Sequence, residues 1–142
     1  MNRAGLRDDE RGIAAIDVFA VIIIGMLPVF IIVMSAPSWV ERLLFARTAA
    51  QEAARAAVLA DTWDQGQGTA NQLVDQIAAN HDVPSGATSL ALSGELERGG
   101  TVTATVSVQT PTLTIPFVTT VGSTTLSSTH SEIVDHYRSL PE

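Results

Sequence analysis

The chain has 142 residues, with 15 acidic residues against eight arginines, no lysine, no cysteine and a net charge of −7. This length suffices for one small domain and an anchor, so a multidomain enzyme is excluded. The acidic balance argues against nucleic-acid binding, and the lack of cysteine excludes thiolate zinc sites, cysteine nucleophiles and disulfides.

The N-terminal third predicts a short leader and a membrane-spanning helix. Residues 1–12 are hydrophilic, whereas Val18 to Val40 contains 23 residues without a formal charge. As a helix they extend about 34 Å, enough for a hydrocarbon core of about 30 Å. We therefore predict a transmembrane helix over 13–40, with Trp39 as an interfacial aromatic. A cleaved secretory signal is disfavoured because the apolar run exceeds an ordinary signal core.

Asp17 is the one charged residue between the leader and the outer end of this helix. A carboxylate inside a membrane helix is costly and is usually retained for a partner or a pathway. Two interpretations stay open from the residues alone. The carboxylate pairs with a partner in the membrane, or it is solvated at headgroup depth near the first helical turn.

The stretch Arg11-Gly12-Ile13-Ala14-Ala15-Ile16-Asp17 resembles the type IV pilin superfamily, within it the TadE/TadG-like minor pilins of tight-adherence (Flp-type) pili. The Ala/Arg-rich segment 46–57 and the closing residues 133–138 also resemble that group. The resemblance implies a pilin-like fold and cleavage by a prepilin peptidase between Gly12 and Ile13. It further implies that Asp17, fifth in the mature chain, makes the filament-assembly contact, in a family that usually has Glu there.

Beyond the apolar run, residues 41–60 predict an amphipathic helix. Ser38 and Glu41 have the spacing of a capping box, so the helix either restarts after Pro37 or continues through it. The apolar stripe on its buried side recurs at steps of three and four residues. Its predicted members are Val40, Leu43, Leu44, Ala50, Ala54, Ala57 and Val58.

The remaining residues, 61–142, predict a small extracytoplasmic α+β region. A turn over 61–68 precedes a short helix that begins near Thr69, with Gln72 completing a capping box, and ends near Asn80. Strands follow over about 90–96, 101–109 and 124–134, with a hairpin turn at 98–100 and a proline-containing loop over 110–118. A sheet of three antiparallel strands needs a helix across its apolar face, and the candidate is the helix of residues 40–60.

No motif for enzymatic chemistry is present in the sequence. Gly-rich phosphate loops, HExxH and GxSxG are absent, and no nucleophile has a base at a workable spacing. His130 and Glu132 share a strand face but have no third ligand. We therefore predict no enzyme, no cofactor, no metal site and no small-molecule substrate.

These expectations combine into a structural subunit of a tight-adherence pilus. It sits once across the cell membrane with its C-terminal region outside, and its partners are the membrane, a prepilin peptidase, other pilin subunits and the pilus assembly platform. The alternative is a permanently anchored single-pass envelope protein with a small partner-binding domain. Cleavage between Gly12 and Ile13 distinguishes the two.

Overall fold

The computed structural model describes residues 5–84, 86–115 and 119–137, with the side chains of 5–16 and 114 left aside. The chain is α+β, as predicted, and its three strands form one antiparallel sheet in the order β1-β2-β3. The helices are α1 (Gly5–Leu59) and α2 (Trp63–Asn80), and the strands are β1 (Thr88–Gly94), β2 (Thr101–Ile115) and β3 (Thr119–Ile133).

Helix α1 is a single helix of 55 residues that continues through Pro28 and Pro37. Of the two arrangements that the sequence allows, the continuous one is found, and Ser38 is not a helix cap. Its Oγ instead donates to the carbonyl of Ser35 at 2.7 Å, inside the helix. The predicted boundary between residues 40 and 41 is therefore no break in the backbone.

The buried face of α1 consists mainly of alanine. It differs from the predicted stripe at the N-terminal end of that stripe. Val40, Leu43 and Leu44 are 50–57% exposed, so their predicted burial is wrong. Apolar residues recur at steps of three and four on two adjacent faces of this segment, so spacing does not distinguish between them. The sheet and α2 cover the face that begins at Phe45. Its buried members are Phe45, Ala46, Ala49, Ala50, Ala53, Ala54, Ala57 and Val58.

Helix α2 begins two turns earlier than predicted, so the predicted turn over 61–68 is wrong. Thr62 is the N-cap, and its Oγ1 accepts the N–H of Gln65 at 3.3 Å, whereas Thr69 lies inside the helix. Gly66 is buried where α2 meets α1, and a Cβ there would lie 3.1 Å from the carbonyl oxygen of Ala57. Close packing of the two helices thus overrides the weak helix propensity of the glycines.

The sheet covers α1 with the alternating inner face that the sequence predicts for β2. Val102, Ala104, Val106 and Val108 are fully buried against the alanine face. The strands differ from prediction at their ends, because β1 begins at Thr88 and β3 already at Thr119. The hairpin turn at 98–100 lies between β1 and β2, as predicted.

Strand β2 continues through Pro111 to Ile115, so the predicted loop is wrong up to that residue. Residues 116–118, the rest of that loop, lie outside the described residues. The N–H of Gln109 donates to the carbonyl of Ala87, on the β1 side of β2. Backbone groups two residues apart in a strand point to the same side, so the nitrogen of Pro111 also faces the β1 side. The paired residues of β1 end at Thr88, opposite Val108, so the N–H that proline lacks has no strand partner to lose.

We predict that Gly66→Val destabilises the protein by about 1–3 kcal/mol, because the new side chain meets the backbone of Ala57 in a rigid helix. Gly68→Val is the matched control, since a Cβ at Gly68 has nothing within 4 Å, and it should change stability by less than about 0.5 kcal/mol. Urea unfolding of the full chain in detergent, followed by Trp fluorescence, measures both. Equal midpoints for the two variants would contradict the close helix packing.

Candidate functional site: the N-terminal helix and its junction with the sheet

The predicted processing bond lies in the first part of α1. The backbone of Gly12 and Ile13 is helical, within Gly5–Leu59, and their side chains lie outside the described set. The helix places this bond far from the sheet, because the packed face of α1 begins more than 20 residues further along the chain. Its cleavage stays a prediction.

Asp17 is the first residue of α1 whose side chain is described, and it is exposed. No described residue makes a hydrogen bond or an ion pair with its carboxylate that would hold it in the folded chain. The next residue, Val18, opens the apolar run. Within the part of the chain whose side chains are described, this carboxylate is open to a group outside the chain, in line with both interpretations of Asp17.

The segment after Asp17 is apolar on all sides and almost entirely uncovered. Only 6% of the most apolar 18-residue stretch is buried within the chain, and among the described residues this is the one helix long and apolar enough to cross a membrane. A soluble protein rarely exposes so large an apolar surface without a lipid or protein partner. The side chains at least 47% exposed are Val18, Phe19, Val21, Ile22, Ile23, Ile24, Met26, Leu27, Val29, Phe30, Ile32, Val33 and Met34.

Trp39 marks the junction between this uncovered part and the sheet. Its Nε1–H donates to the carbonyl of Pro111 at 3.0 Å. That carbonyl belongs to the open edge of β2, directly beyond the end of β1, so the indole takes the place of a strand partner. The sequence predicts Trp39 as an interfacial aromatic. The structure adds a contact that no local pattern indicates, since the two residues are 72 positions apart.

A second contact holds the end of α2 to the same part of α1. Arg42 Nη2 donates to the carbonyl of Asp82 at 3.3 Å, and the ring of Phe45 contacts that of His81 at 5.9 Å between centroids. Helix α2 therefore ends at the level of Arg42. Nearer the N-terminus, β2 and β3 are the described elements left to cover α1.

His130 and Glu132 lie together on the inner face of β3, as their spacing predicts. His130 Nε2 and Glu132 Oε2 are 3.2 Å apart, and both side chains are about 40% exposed. Within the described ranges, no group of three His, Cys, Asp or Glu side chains comes together. The pair is an ion pair at the edge of the sheet when the imidazole is protonated.

The outer face of the sheet is rich in hydroxyl groups. Thr103 and Ser131 share a hydrogen bond of 2.8 Å between their side chains, and Thr105 and Thr129 share one of 3.0 Å. These pairs lie directly opposite one another on β2 and β3. Threonine here has the high β propensity expected on a solvated strand face.

The chain matches no model of a known protein family, no curated protein and no solved structure.

We predict that Thr110→Val stabilises the protein by about 1 kcal/mol. The Thr110 hydroxyl is buried on the inner face of β2 without a hydrogen-bond partner among the described residues, and valine removes the cost of its desolvation at the same shape. Thr105→Val is the control, because it breaks an exposed hydroxyl pair and should be neutral or slightly destabilising. A lower urea midpoint for Thr110→Val than for the parent chain would contradict the assignment.

Proposed function

We propose that this chain is a minor pilin or pilin-like structural subunit of a tight-adherence pilus. A prepilin peptidase removes residues 1–12, and the apolar part of α1 first anchors the subunit in the membrane and then packs among other pilin helices. The sheet and α2 face outward. The protein performs no enzymatic reaction in this proposal and needs no cofactor.

One observation carries the proposal, namely the sharp division of α1 into an uncovered and a covered part. Residues 18–34 expose apolar side chains in every direction, whereas the face from Phe45 to Val58 is buried beneath the sheet and α2. A helix that only supported the sheet would have no use for the uncovered part. A helix that enters a bilayer, and then a bundle of like helices, needs both.

Asp17 gives this helix a means of specific association. Cleavage after Gly12 exposes an α-amine four residues before the carboxylate, and the carboxylate of one subunit can pair with the amine of its neighbour. In hydrocarbon each charge alone is costly, so pairing offsets part of the cost of both. The exposed carboxylate of Asp17, without a partner among the described residues, is available for this contact.

A permanently anchored envelope protein is the second candidate, favoured by the hydroxyl-rich outer face of the sheet, which is open to a partner. This candidate needs the span and the small domain, but neither cleavage nor a role for Asp17.

We predict that the mature chain in its host membrane starts at Ile13 and retains 130 of the 142 residues. Gly12→Val should block cleavage and leave the full-length chain, because the bulky side chain replaces the residue at which the peptidase cuts. Intact-mass measurement and N-terminal sequencing decide the matter. A parent chain that still starts at Met1 in cells with an active peptidase would overturn the pilin proposal in favour of the anchored protein.

We predict that Asp17→Ala leaves membrane insertion intact and lowers incorporation into filaments at least about tenfold, as expected for the loss of 1.4 kcal/mol or more in association. Asp17→Glu should retain incorporation. Asp75→Ala is the matched control, because it removes the same charge from the exposed surface of α2. Immunoblots of sheared filaments against membrane fractions measure the ratio. Normal incorporation of Asp17→Ala would remove the role assigned to this residue.

A further inference from the structure

The end of the β2–β3 hairpin differs from the rest of the sheet in having two strands only. We call residues 110–115 and 119–124 the distal hairpin. Strand β1 pairs with β2 as far as Val108, so beyond this point both edges of the hairpin lack a strand partner in the described fold. Backbone N–H and C=O groups on both edges therefore need water or another polar partner.

The distal hairpin lies alongside the apolar run of α1. The hydrogen bond between Trp39 and Pro111 fixes the relative position of helix and strand. Ile115 is four residues further along β2, or about 13 Å, and this distance corresponds to about nine residues of helix. The end of the hairpin thus reaches the level of about Ile31.

The burial of Ser35 supports this position. Its side chain is 1% exposed although it lies within the apolar run, and its Oγ donates to the carbonyl of Ile31. Helix α2 ends at the level of Arg42 and does not extend this far. Among the described elements, the distal hairpin is the one left to cover Ser35 on this side of α1.

The outer face of the hairpin changes its character in the distal part. Ile133, beside the turn at 98–100, is 64% exposed on this face, and from Thr103 to Ser107 the face carries hydroxyl side chains. Towards the end of the hairpin Leu113, Ile115 and Val121 occupy the same face together. Val121 is 47% exposed, and its neighbours Thr119, Thr120 and Ser123 are exposed as well. Apolar side chains mixed with hydroxyl groups are suited to the interface between lipid headgroups and water.

These positions conflict with a membrane boundary at Val40. With that boundary the distal hairpin would lie in hydrocarbon, where open strand edges do not occur because their backbone groups have no partner. We propose that the outer edge of the hydrocarbon core lies near Ile31 and that the distal hairpin rests in the phospholipid headgroup layer. This inference rests on the membrane anchoring in the proposed function.

The shifted span is still long enough to cross a membrane. Residues 12–31 are about 20 residues, which as a helix cover the hydrocarbon thickness of about 30 Å. In the uncleaved chain Arg11 then lies at the inner edge, and Asp17 lies inside the core rather than at headgroup depth. The exposed apolar side chains of Ile32, Val33 and Met34 fall in the headgroup layer, at a smaller cost than open strand edges in hydrocarbon.

The absence of cysteine allows a direct test by spin labels at single introduced cysteines. The full chain carries Phe19→Cys, Phe30→Cys or Val121→Cys, each in phosphatidylcholine nanodiscs that hold one copy. All three parent side chains are exposed, so a label disturbs little packing, and the contact between Trp39 and Pro111 is retained. Relative collision with oxygen and with a water-soluble nickel complex reports the depth of each label.

The two boundaries predict opposite orders of depth for the two helix labels. A core over 12–31 places residue 19 about 4 Å and residue 30 about 13 Å from the mid-plane, whereas a core over 18–40 reverses the order, with about 15 Å and about 2 Å. We expect the label at 19 to be the deeper one and the label at 121 to be accessible to nickel. A deeper label at 30, or a label at 121 shielded from nickel and accessible to oxygen, would overturn the inference. Free access of nickel to all three labels would instead overturn the anchoring itself.

Discussion

The structure depends on the close contact between the alanine face of α1 and the elements that cover it. Alanine has too small a side chain to hold β2 and α2 away from the helix, and Val106 and Val108 of β2 are buried in one cluster with most of these alanines. Gly66 lets α2 approach the backbone of α1 at Ala57. Short side chains give up some apolar area per residue, but they gain dense packing and lose little side-chain entropy. The orientation of the whole sheet relative to the apolar run follows from this contact.

If α1 crosses a membrane as proposed, the length of the β2–β3 hairpin limits how far α1 can enter it. The hairpin is longer than the stretch that β1 and α2 support, so its far end continues along α1 with two open edges. The indole of Trp39 caps one carbonyl on the β1 side, at Pro111, and the remaining edge groups need a polar environment. At the same level along its axis, α1 therefore has an uncovered apolar surface on one side. On the other side it has a hairpin whose open backbone edges are polar.

This asymmetry bears on how the chain would associate in the proposed filament. The face of α1 opposite the sheet stays apolar as far as Leu44, whereas the face under the hairpin is already covered at Ser35. A neighbouring helix can approach the face opposite the sheet along its whole length. It can approach the face under the hairpin only on the N-terminal side of the hairpin. If the chain assembles as proposed, lateral packing is directional, because one side of each helix is occupied by its own hairpin.

Much of the chain could be predicted from the residues because local patterns were strong there. The uncharged run and the alternation of Val102 to Val108 determined by themselves an apolar helix and a half-buried strand, and so the α+β class. The charge beside the apolar run singled out Asp17, and the resemblance of residues 11–17 to type IV pilins added Gly12 and Ile13 as a candidate processing site. Their roles stay predictions, since they depend on a peptidase and on neighbouring subunits that lie outside the chain.

Only the tertiary structure decided which of several locally equivalent arrangements occurs. Leu43 and Phe45 fit a buried stripe equally well by spacing, and the cover supplied by the sheet and α2 selected Phe45. Gly66 and Pro111 are residues that local propensity assigns to turns, yet one lies in a helix and the other in a strand. Glycine at position 66 allows α1 to approach closely, and proline at position 111 lies beyond the end of β1, so its missing N–H costs no hydrogen bond to a strand partner. Such outcomes depend on contacts between distant segments, and that is why the sequence determined the kinds of elements but not their extent or the depth at which the hairpin meets the helix.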